Sequence, residues 1–544
     1  MSVFLTEVDE GLVRRAIVWS SAAWVARLDA ALVHDRGRPR MHKVRSIVAL
    51  MLIAAMEARG ELLLTNAANV ATRLNSHQAA RLGIHPLARI SKQQVSRTLT
   101  EIVRATTATV NAITGEITEP VAPMDLSVLL TQMVEGMIPA SIPPSRVQAI
   151  DSTDLESWAE RHSPPGSKPD TTKDALPEQA APSKSKNRVW PGFPLIGADG
   201  RKQHTLDPEA REGYRSGKNG APKGTFVGWD NHLLVDVTET PGEPRPLLIR
   251  GVAIVPAGSC KGTAGIAAID AALSSGVPID HVFADRGYTY LLAENWAYKL
   301  ADRGIKSTLD LHANQRGVTP GPKPGTIWVD GGLFSNALPE RLRRLPGYPL
   351  NQPADEAAEL AKMYDERLLY ALLPQGAPDL ARRKQRYRGP ARRSVLRCPN
   401  YPESMRLRAD RHPTTSCTPG VACGCAATVV AGPGDHFRER QELLWGTTAW
   451  RKRYGGRNKV ETANSLLKTH KTRIARGSVR VLGLFKNAFL FGIIIATVNI
   501  AALMSGYDHD IGDPHPAPSS ATVATDEGTP PPVESSTQHL GDTG

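Results

Sequence analysis

Cysteine is scarce: 5 in 544 residues is too few for a disulfide framework, which excludes a stapled secreted scaffold and points to a reducing compartment. A secretory signal is also missing. The opening MSVFLTEVDEGLVRR carries acids where a signal peptide is basic, and it has no long apolar run, so the expectation is an intracellular protein. No internal repeat is visible, and only one stretch, 487–504, is apolar enough to test as a membrane span. Asn487 and Asn499 interrupt it and no second span accompanies it, so the expected state is a helix buried in a large core, with no membrane partner. The composition is otherwise ordinary, 41% hydrophobic and 22% charged, which excludes a wholly disordered, collagen-like or coiled-coil chain. The length suits roughly three to four domains of about 150 residues each. An excess of 66 Lys and Arg over 54 Asp and Glu gives a net charge of +12, a balance that favours a polyanion as partner.

Residues 1–140 lack strand alternation and carry Ala, Leu, Val and Arg at helical spacing, which predicts an all-α domain. Within it TNAANVATRLN (65–75) and SKQQVSRTLTEIV (91–103), the second opened by a capping serine, have the form of a helix-turn-helix. Lys92, Gln93, Gln94, Ser96 and Arg97 would then project where DNA is met; the alternative is a solvated amphipathic helix. A mixed α/β domain is expected over 141–312. Its strands are read at 146–154, 226–237, 246–258, 281–288 and 305–311, with helices at 263–276 and 290–304. A flexible loop rich in Pro, Ser and Lys, centred on 162–187, interrupts it and extends to about 224. From 313 to 437 the pattern dissolves into Gly, Pro and Arg with short helical pieces, as in an inserted domain. Helical patterning returns over 438–506, and the tail 507–544 has the composition of a disordered segment.

Three carboxylates stand where regular structure could bring them together. Asp151 ends the strand VQAID, Asp285 ends HVFAD ahead of an Arg-Gly turn, and Glu461 lies in YGGRNKVETANSLLKTHK. For any one of them the plain reading is a cap or turn. Clustered carboxylates repel one another and are tolerated around a hard divalent cation, which suits Mg²⁺ or Mn²⁺. At about 100° per residue, Arg457, Glu461 and Lys468 fall within roughly 40° on one helix face. Val460, Ala463, Leu466 and Leu467 occupy the other, so one face is reactive and the other is core. Gly455-Gly456 is expected to mark the start of that helix.

Tyr454, Arg457, Glu461 and Lys468 reproduce the intervals Tyr-x2-Arg-x3-Glu-x6-Lys, and here the sequence resembles the bacterial insertion-sequence transposases of the DDE type, in the branch carrying that signature. AIDST around Asp151 and the D-x-G-Y turn Asp285-Arg286-Gly287-Tyr288 are similar to the family's first and second acidic motifs. Asp207-Pro208-Glu209-Ala210 and Gly228-Trp229-Asp230-Asn231-His232 are similar to its D-P-D-A and G-Y-K-x-H stretches, with Asp230 where a Lys is common. The likeness covers about 145–312 and 438–506. It implies an RNase H-like mixed five-stranded sheet with flanking helices and two divalent metals, Mg²⁺ or Mn²⁺, held by Asp151, Asp285 and Glu461 as catalytic residues. It also implies phosphate contacts from Tyr454, Arg457 and Lys468; Lys92 and Arg97, read from the helix-turn-helix, would add DNA contacts from the helical domain. The implied activity is cleavage and strand transfer of double-stranded DNA at inverted repeats by a homodimer, cytoplasmic and DNA-associated. A non-catalytic, domesticated transposase acting as a DNA-binding repressor is the alternative.

The basic run ARRKQRYRGPARRSVLR (381–397) reads either as a DNA-backbone contact or as a solvated loop. Cys398, Cys417, Cys423 and Cys425 follow as C-x18-C-x5-C-x-C, outside the standard zinc patterns but a possible structural zinc site, with His412 as a fifth candidate ligand. Cys260 reads as a small buried residue, and Trp445 and Trp450 as core rather than base-stacking side chains.

Overall fold

The computed structural model describes residues 7–33, 40–85, 89–110, 116–169, 192–215, 224–240, 243, 245–349 and 352–506. The tail 507–544 and most of the loop read at 162–187 lie outside the described residues.

The amino-terminal region is helical, as its periodicity predicts. Its members include α1 (Val44–Glu57), α2 (Leu64–Arg73), α3 (Lys92–Thr106) and α4 (Leu126–Glu135). Ser91 caps α3 in a reciprocal box with Gln94, so the serine read as a helix start is one. The region is not purely helical: Thr109–Val110 pairs antiparallel with Ile117–Thr118, a two-residue ladder too short to leave an alternating signature. A six-residue helix, Ser76–Arg81, also stands between α2 and α3.

A mixed sheet flanked by helices forms the centre. Its strands are β1 (Val147–Glu156), β2 (Arg211–Arg215), β3 (Gly224–Asp236), β4 (Ile249–Pro256), β5 (His281–Ala284) and β6 (Lys306–Leu309). The order is β6-β5-β1-β3, and β2 and β4 share the far edge of β3. β5 and β6 run parallel to β1, whereas β2, β3 and β4 pair antiparallel. The sheet has six strands rather than five because β2 lies in the segment read as part of a flexible loop. REGYR carries too little apolar character to announce a strand, yet it lays five residues along β3. The start of that loop is also fixed, with His162 buried and its N–H donating to the His204 carbonyl.

Successive residues of β1 serve opposite layers, as strand geometry requires. Ala149 joins Leu233, Val235 and Phe283 in a cluster that continues through the amino-terminal helices and the carboxyl-terminal helices. Ile150 joins Leu234, Ala253 and Val282 under α5 (Lys261–Ser274). The helix expected over 290–304 is broken into a 3-10 turn, Ala293–Asn295, and Ala297–Asp302. The region 313–437 holds more order than its composition suggests. It contains the sheet Val318–Pro320, Thr326–Val329, Gly332–Ser335, the helix Ala354–Glu366, and the sheet Leu373–Pro374, Gln385–Arg388, Thr428–Ala431. These strands are two to four residues long and set among Gly, Pro and Arg, so period-2 patterning has no room to show.

Leu484–Gly506, α6, is long and apolar enough to cross a membrane, and 78% of its most apolar window is buried inside the protein. Its polar residues explain that placement. Asn499 Oδ1 accepts from the Ile249 N–H at 2.9 Å, and its Nδ2 donates to the carbonyls of Ile249 at 2.9 Å and Val134 at 3.2 Å. One amide thus completes the edge of β4 and ties it to α4. Asp207 Oδ1 and Glu209 Oε2 accept the Gly483 and Leu484 N–H groups, so the D-P-E stretch stabilises the start of α6, where exposed N–H groups favour carboxylates. Asn499→Leu should leave buried backbone groups of Ile249 unpaired, at about 1–3 kcal/mol each, and lower the melting temperature by several degrees, whereas Met504→Gln on the exposed side should not. A melt of Asn499→Leu that matches the wild type would show that this bond does not hold the helix to the sheet.

Candidate active site

β5 stops at Ala284, opposite Ile150, so β1 continues beyond it with no strand partner on that side among the described residues. Asp151 stands on the first residue of this free edge, and Asp285 follows the last residue of β5. Asp285 also caps a one-turn helix, Arg286–Thr289, by accepting the Gly287 N–H at 2.8 Å. The parallel pairing of β1 with β5 is what brings the two acids side by side.

The third acid arrives on a helical run from the end of the chain. Thr447 caps Thr448–Tyr454, a 3-10 turn covers Gly455–Arg457, an α-helix covers Asn458–Ser465, and a π-helical turn covers Leu466–His470. Gly455-Gly456 is therefore inside the run and not at its start. A Cβ on Gly456 would lie 2.8 Å from Val237 Cγ1 and 3.1 Å from Phe283, so glycine lets the run lie directly on the sheet. Of the face read as core, Val460, Ala463 and Leu467 are fully buried and Leu466 is half-buried, while Glu461 is exposed.

Arg457 joins the three acids. Its Nη1 lies 2.7 Å from Glu461 Oε1, and its Nη2 lies 3.4 Å from Asp151 Oδ2 and 4.0 Å from Asp285 Oδ2. Burial and the neighbouring charge of Asp285 push the Asp151 carboxyl up to about 6, against the pull of Arg457 and the Ser152 N–H. Burial opposes the Arg457 charge, but the three acids outweigh it and hold the guanidinium above its ordinary value. An arginine with its charge spent on three carboxylates is oriented toward them. Tyr454 is likewise turned inward: it stacks on Trp450 at 4.9 Å, and its hydroxyl donates to the Ala284 carbonyl at 3.3 Å. Trp450 and Trp445 are both buried in that aromatic cluster.

Lys468 extends to Asp154 Oδ1 at 2.5 Å, and Arg215 from β2 reaches Asp154 Oδ2 at 2.6 Å. Burial raises Asp154, but these two cations outweigh it and hold the carboxyl below its usual range. Asp154 was not singled out from the sequence, although the doubled acid in DSTD is its signal. Opposite it on β3, Asp230 Oδ2 accepts the Gly258 N–H at 2.9 Å. The Gly228–His232 stretch ends at His232, whose Nδ1 lies 2.7 Å from the Tyr288 hydroxyl of the D-x-G-Y turn. Burial and the charge of Lys261 hold His232 down to about 3, so this pair is a neutral prop beneath the acids.

Lys261 is the cation the sequence reading missed. It opens α5, its charge partly offsets the burial that raises the carboxyls of Asp151 and Asp230, and it stands with Nζ 3.2 Å from where a Gly287 Cβ would be. No motif surrounds it; only the β4–α5 turn places it over the acids. Beyond the Asp285 turn a 780 Å³ cleft is lined by Tyr290, Asn314, Arg316, Phe437 and Arg438. Lys92, Gln93 and Arg97 are exposed at the start of α3, as read from the sequence, and Gln94 and Ser96 are half-buried.

Cys398, Cys417, Cys423 and Cys425 converge, with one sulfur of each within 4.8 Å of every other, and could hold a metal ion. His412 is not part of that group; its Nδ1 lies 3.3 Å from the Val395 carbonyl. Cys260 is exposed rather than buried, because it sits in the turn ahead of α5. No protein-family model matches the chain, and no curated protein matches it.

The raised Asp151 carboxyl has a consequence for stability. The folded state keeps this proton to about pH 6, whereas the unfolded chain loses it near 3.8. Its contribution is therefore fully present below about pH 4 and is lost as the pH rises to 6. In urea unfolding of metal-free protein, Asp151→Asn should remove this loss, flattening the change between pH 4 and 6 by on the order of 2 kcal/mol relative to wild type. Identical slopes for both proteins would mean that Asp151 is not a crowded acid.

Proposed function

We propose that this chain is a DDE-type DNA transposase with an RNase H-like catalytic core, acting on double-stranded DNA. One observation carries the reading: three carboxylates from distant parts of the chain converge on a single guanidinium, at the point where β5 ends beside β1. The strand order β6-β5-β1-β3-β4, with β5 and β6 parallel to β1, supports an RNase H-like sheet.

The donor set suits hard divalent cations. Its ligands are carboxylate oxygens only, they crowd enough to raise Asp151, and Glu461 remains accessible. Two Mg²⁺ or Mn²⁺ ions held by Asp151, Asp285 and Glu461 would activate an attacking water or DNA 3′-hydroxyl and stabilise the departing oxygen of an in-line phosphoryl displacement. The chain's own residues do the rest. Arg457 fixes the relative positions of the acids, and the His232–Tyr288 pair supports the turn that carries Asp285. Lys261 offers a cation to the non-bridging oxygens of a phosphate brought to the acids. Lys92 and Arg97 supply contacts along the DNA backbone, which bind by releasing counterions, and Arg438 of the cleft adds a cation; Arg316 is held by the Leu345 carbonyl, the Tyr364 hydroxyl and Trp445. A non-catalytic DNA-binding protein has no need to keep this acidic constellation, which disfavours the repressor reading.

Asp151→Ala and Asp285→Ala should abolish Mg²⁺-dependent cleavage of DNA carrying the element's ends while leaving end binding within a few-fold of wild type in mobility-shift assays. Cleavage at the wild-type rate by either variant would remove these acids from the mechanism. Lys261→Met should slow cleavage by about 10²-fold, the usual effect of losing one preorganised charge-stabilising group, with unchanged binding. A rate within twofold of wild type would show that Lys261 does not meet the reacting phosphate.

A further inference from the structure

The inserted region contains a site that the transposition chemistry does not use. We propose that Cys398, Cys417, Cys423 and Cys425 bind one structural zinc ion as a tetrathiolate, and that this ion locks the loop 398–425 onto the sheet beside it.

The sulfur geometry is the first argument. Zinc–sulfur bonds of about 2.3 Å in a tetrahedron separate the sulfurs by about 3.8 Å. Here Cys398 and Cys423 are 3.6 Å apart and Cys417 and Cys425 are 3.7 Å apart, with all four sulfurs within 4.8 Å of one another. Both pairs are far beyond the roughly 2.05 Å of a disulfide bond. The four are spread in sequence but arrive as a closed set, the pattern of a structural rather than an open catalytic site.

Two polar side chains reach the sulfurs. Ser335 Oγ lies 3.2 Å from the Cys425 sulfur, and Asn400 Nδ2 donates to the Cys423 sulfur at 3.6 Å. Such outer contacts orient metal-binding sulfurs and spread their charge. The backbone is also shaped for close approach: Gly325, at φ 82°, would place a Cβ 2.5 Å from Cys423 Cα, so only glycine lets the cysteine loop lie against this turn.

The third argument is what the loop lacks. Its own cluster consists of Ala391, Leu396, Cys398 and Cys425, flanked by part-buried residues such as Tyr370 and Tyr401. A core of that size cannot order a segment of this length, and small folds of this kind are completed by a metal or disulfides. Zinc would bind Cys423 and Cys425, packed against Gly325 and Ser335, together with Cys417 and with Cys398, which follows the basic run, and so join the loop to the sheet Val318–Ser335. The proposal is independent of the transposase reading.

The test uses the full chain purified under reducing conditions. Elemental analysis should find about one zinc per chain, lost in Cys417→Ser and Cys425→Ser and retained in Cys260→Ser. If the serine variants do not fold, the wild type still decides: a mercurial reagent titrating the thiols should release one zinc, and cobalt exchanged into the site should give the absorption of a tetrahedral tetrathiolate. Chelation should open 398–425 to limited proteolysis. Four free thiols without metal, two disulfides by mass, iron in place of zinc, or zinc content unchanged in both serine variants would each overturn the assignment.

Discussion

Like charges brought together must be offset, and in this protein the cost of placing Asp151, Asp285 and Glu461 near one another is met by Arg457. The guanidinium bonds Glu461 and Asp151, lies 4.0 Å from Asp285, and is itself largely buried. A half-buried carboxylate cluster without a cation would cost several kcal/mol and be resolved by proton uptake. The partial protonation tendency of Asp151 is the residue of that conflict. Much of the surrounding structure serves this contact. β5 ends early enough to expose the edge of β1, Gly456 lets the helical run reach the sheet, and Tyr454 fixes the run to the last carbonyl of β5.

The same arrangement gives the family-like motifs distinct physical roles. Asp207 and Glu209 hold the start of α6, His232 and Tyr288 form a buried neutral pair, and Lys468 is tethered to Asp154. These residues position the site rather than line it. Asp230, standing where the resemblance leads one to expect a lysine, accepts a backbone N–H and lies under the influence of Lys261. The positive charge near this corner of the site thus comes from the start of α5 instead.

What was legible in the sequence follows from length and repetition. Strands β1, β3, β4, β5 and β6 carry enough apolar residues to show themselves, and α6 is apolar almost throughout. The helix face bearing Val460, Ala463 and Leu467 could be read from spacing alone, and it is buried. β2 escaped because its five residues, REGYR, are held by backbone pairing to β3 rather than by an apolar pattern. The two small sheets between 318 and 431 escaped because their strands reach at most four residues and stand among Gly, Pro and Arg. Lys261 and Asp154 escaped because their importance lies in neighbours contributed by other strands and helices, which no local spacing encodes.

The account rests on the claim that the acids gathered by Arg457 form a divalent-metal site for phosphoryl transfer. Titration of the metal-free protein with Mn²⁺, followed by electron paramagnetic resonance of the free ion at pH 7.5, tests it most directly, since two ions are expected in such a centre. The account predicts two Mn²⁺ per chain, displaced by excess Mg²⁺, with binding largely lost in Asp285→Ala. Mn²⁺ uptake that is absent, or that is the same in Asp285→Ala as in the wild type, would contradict it.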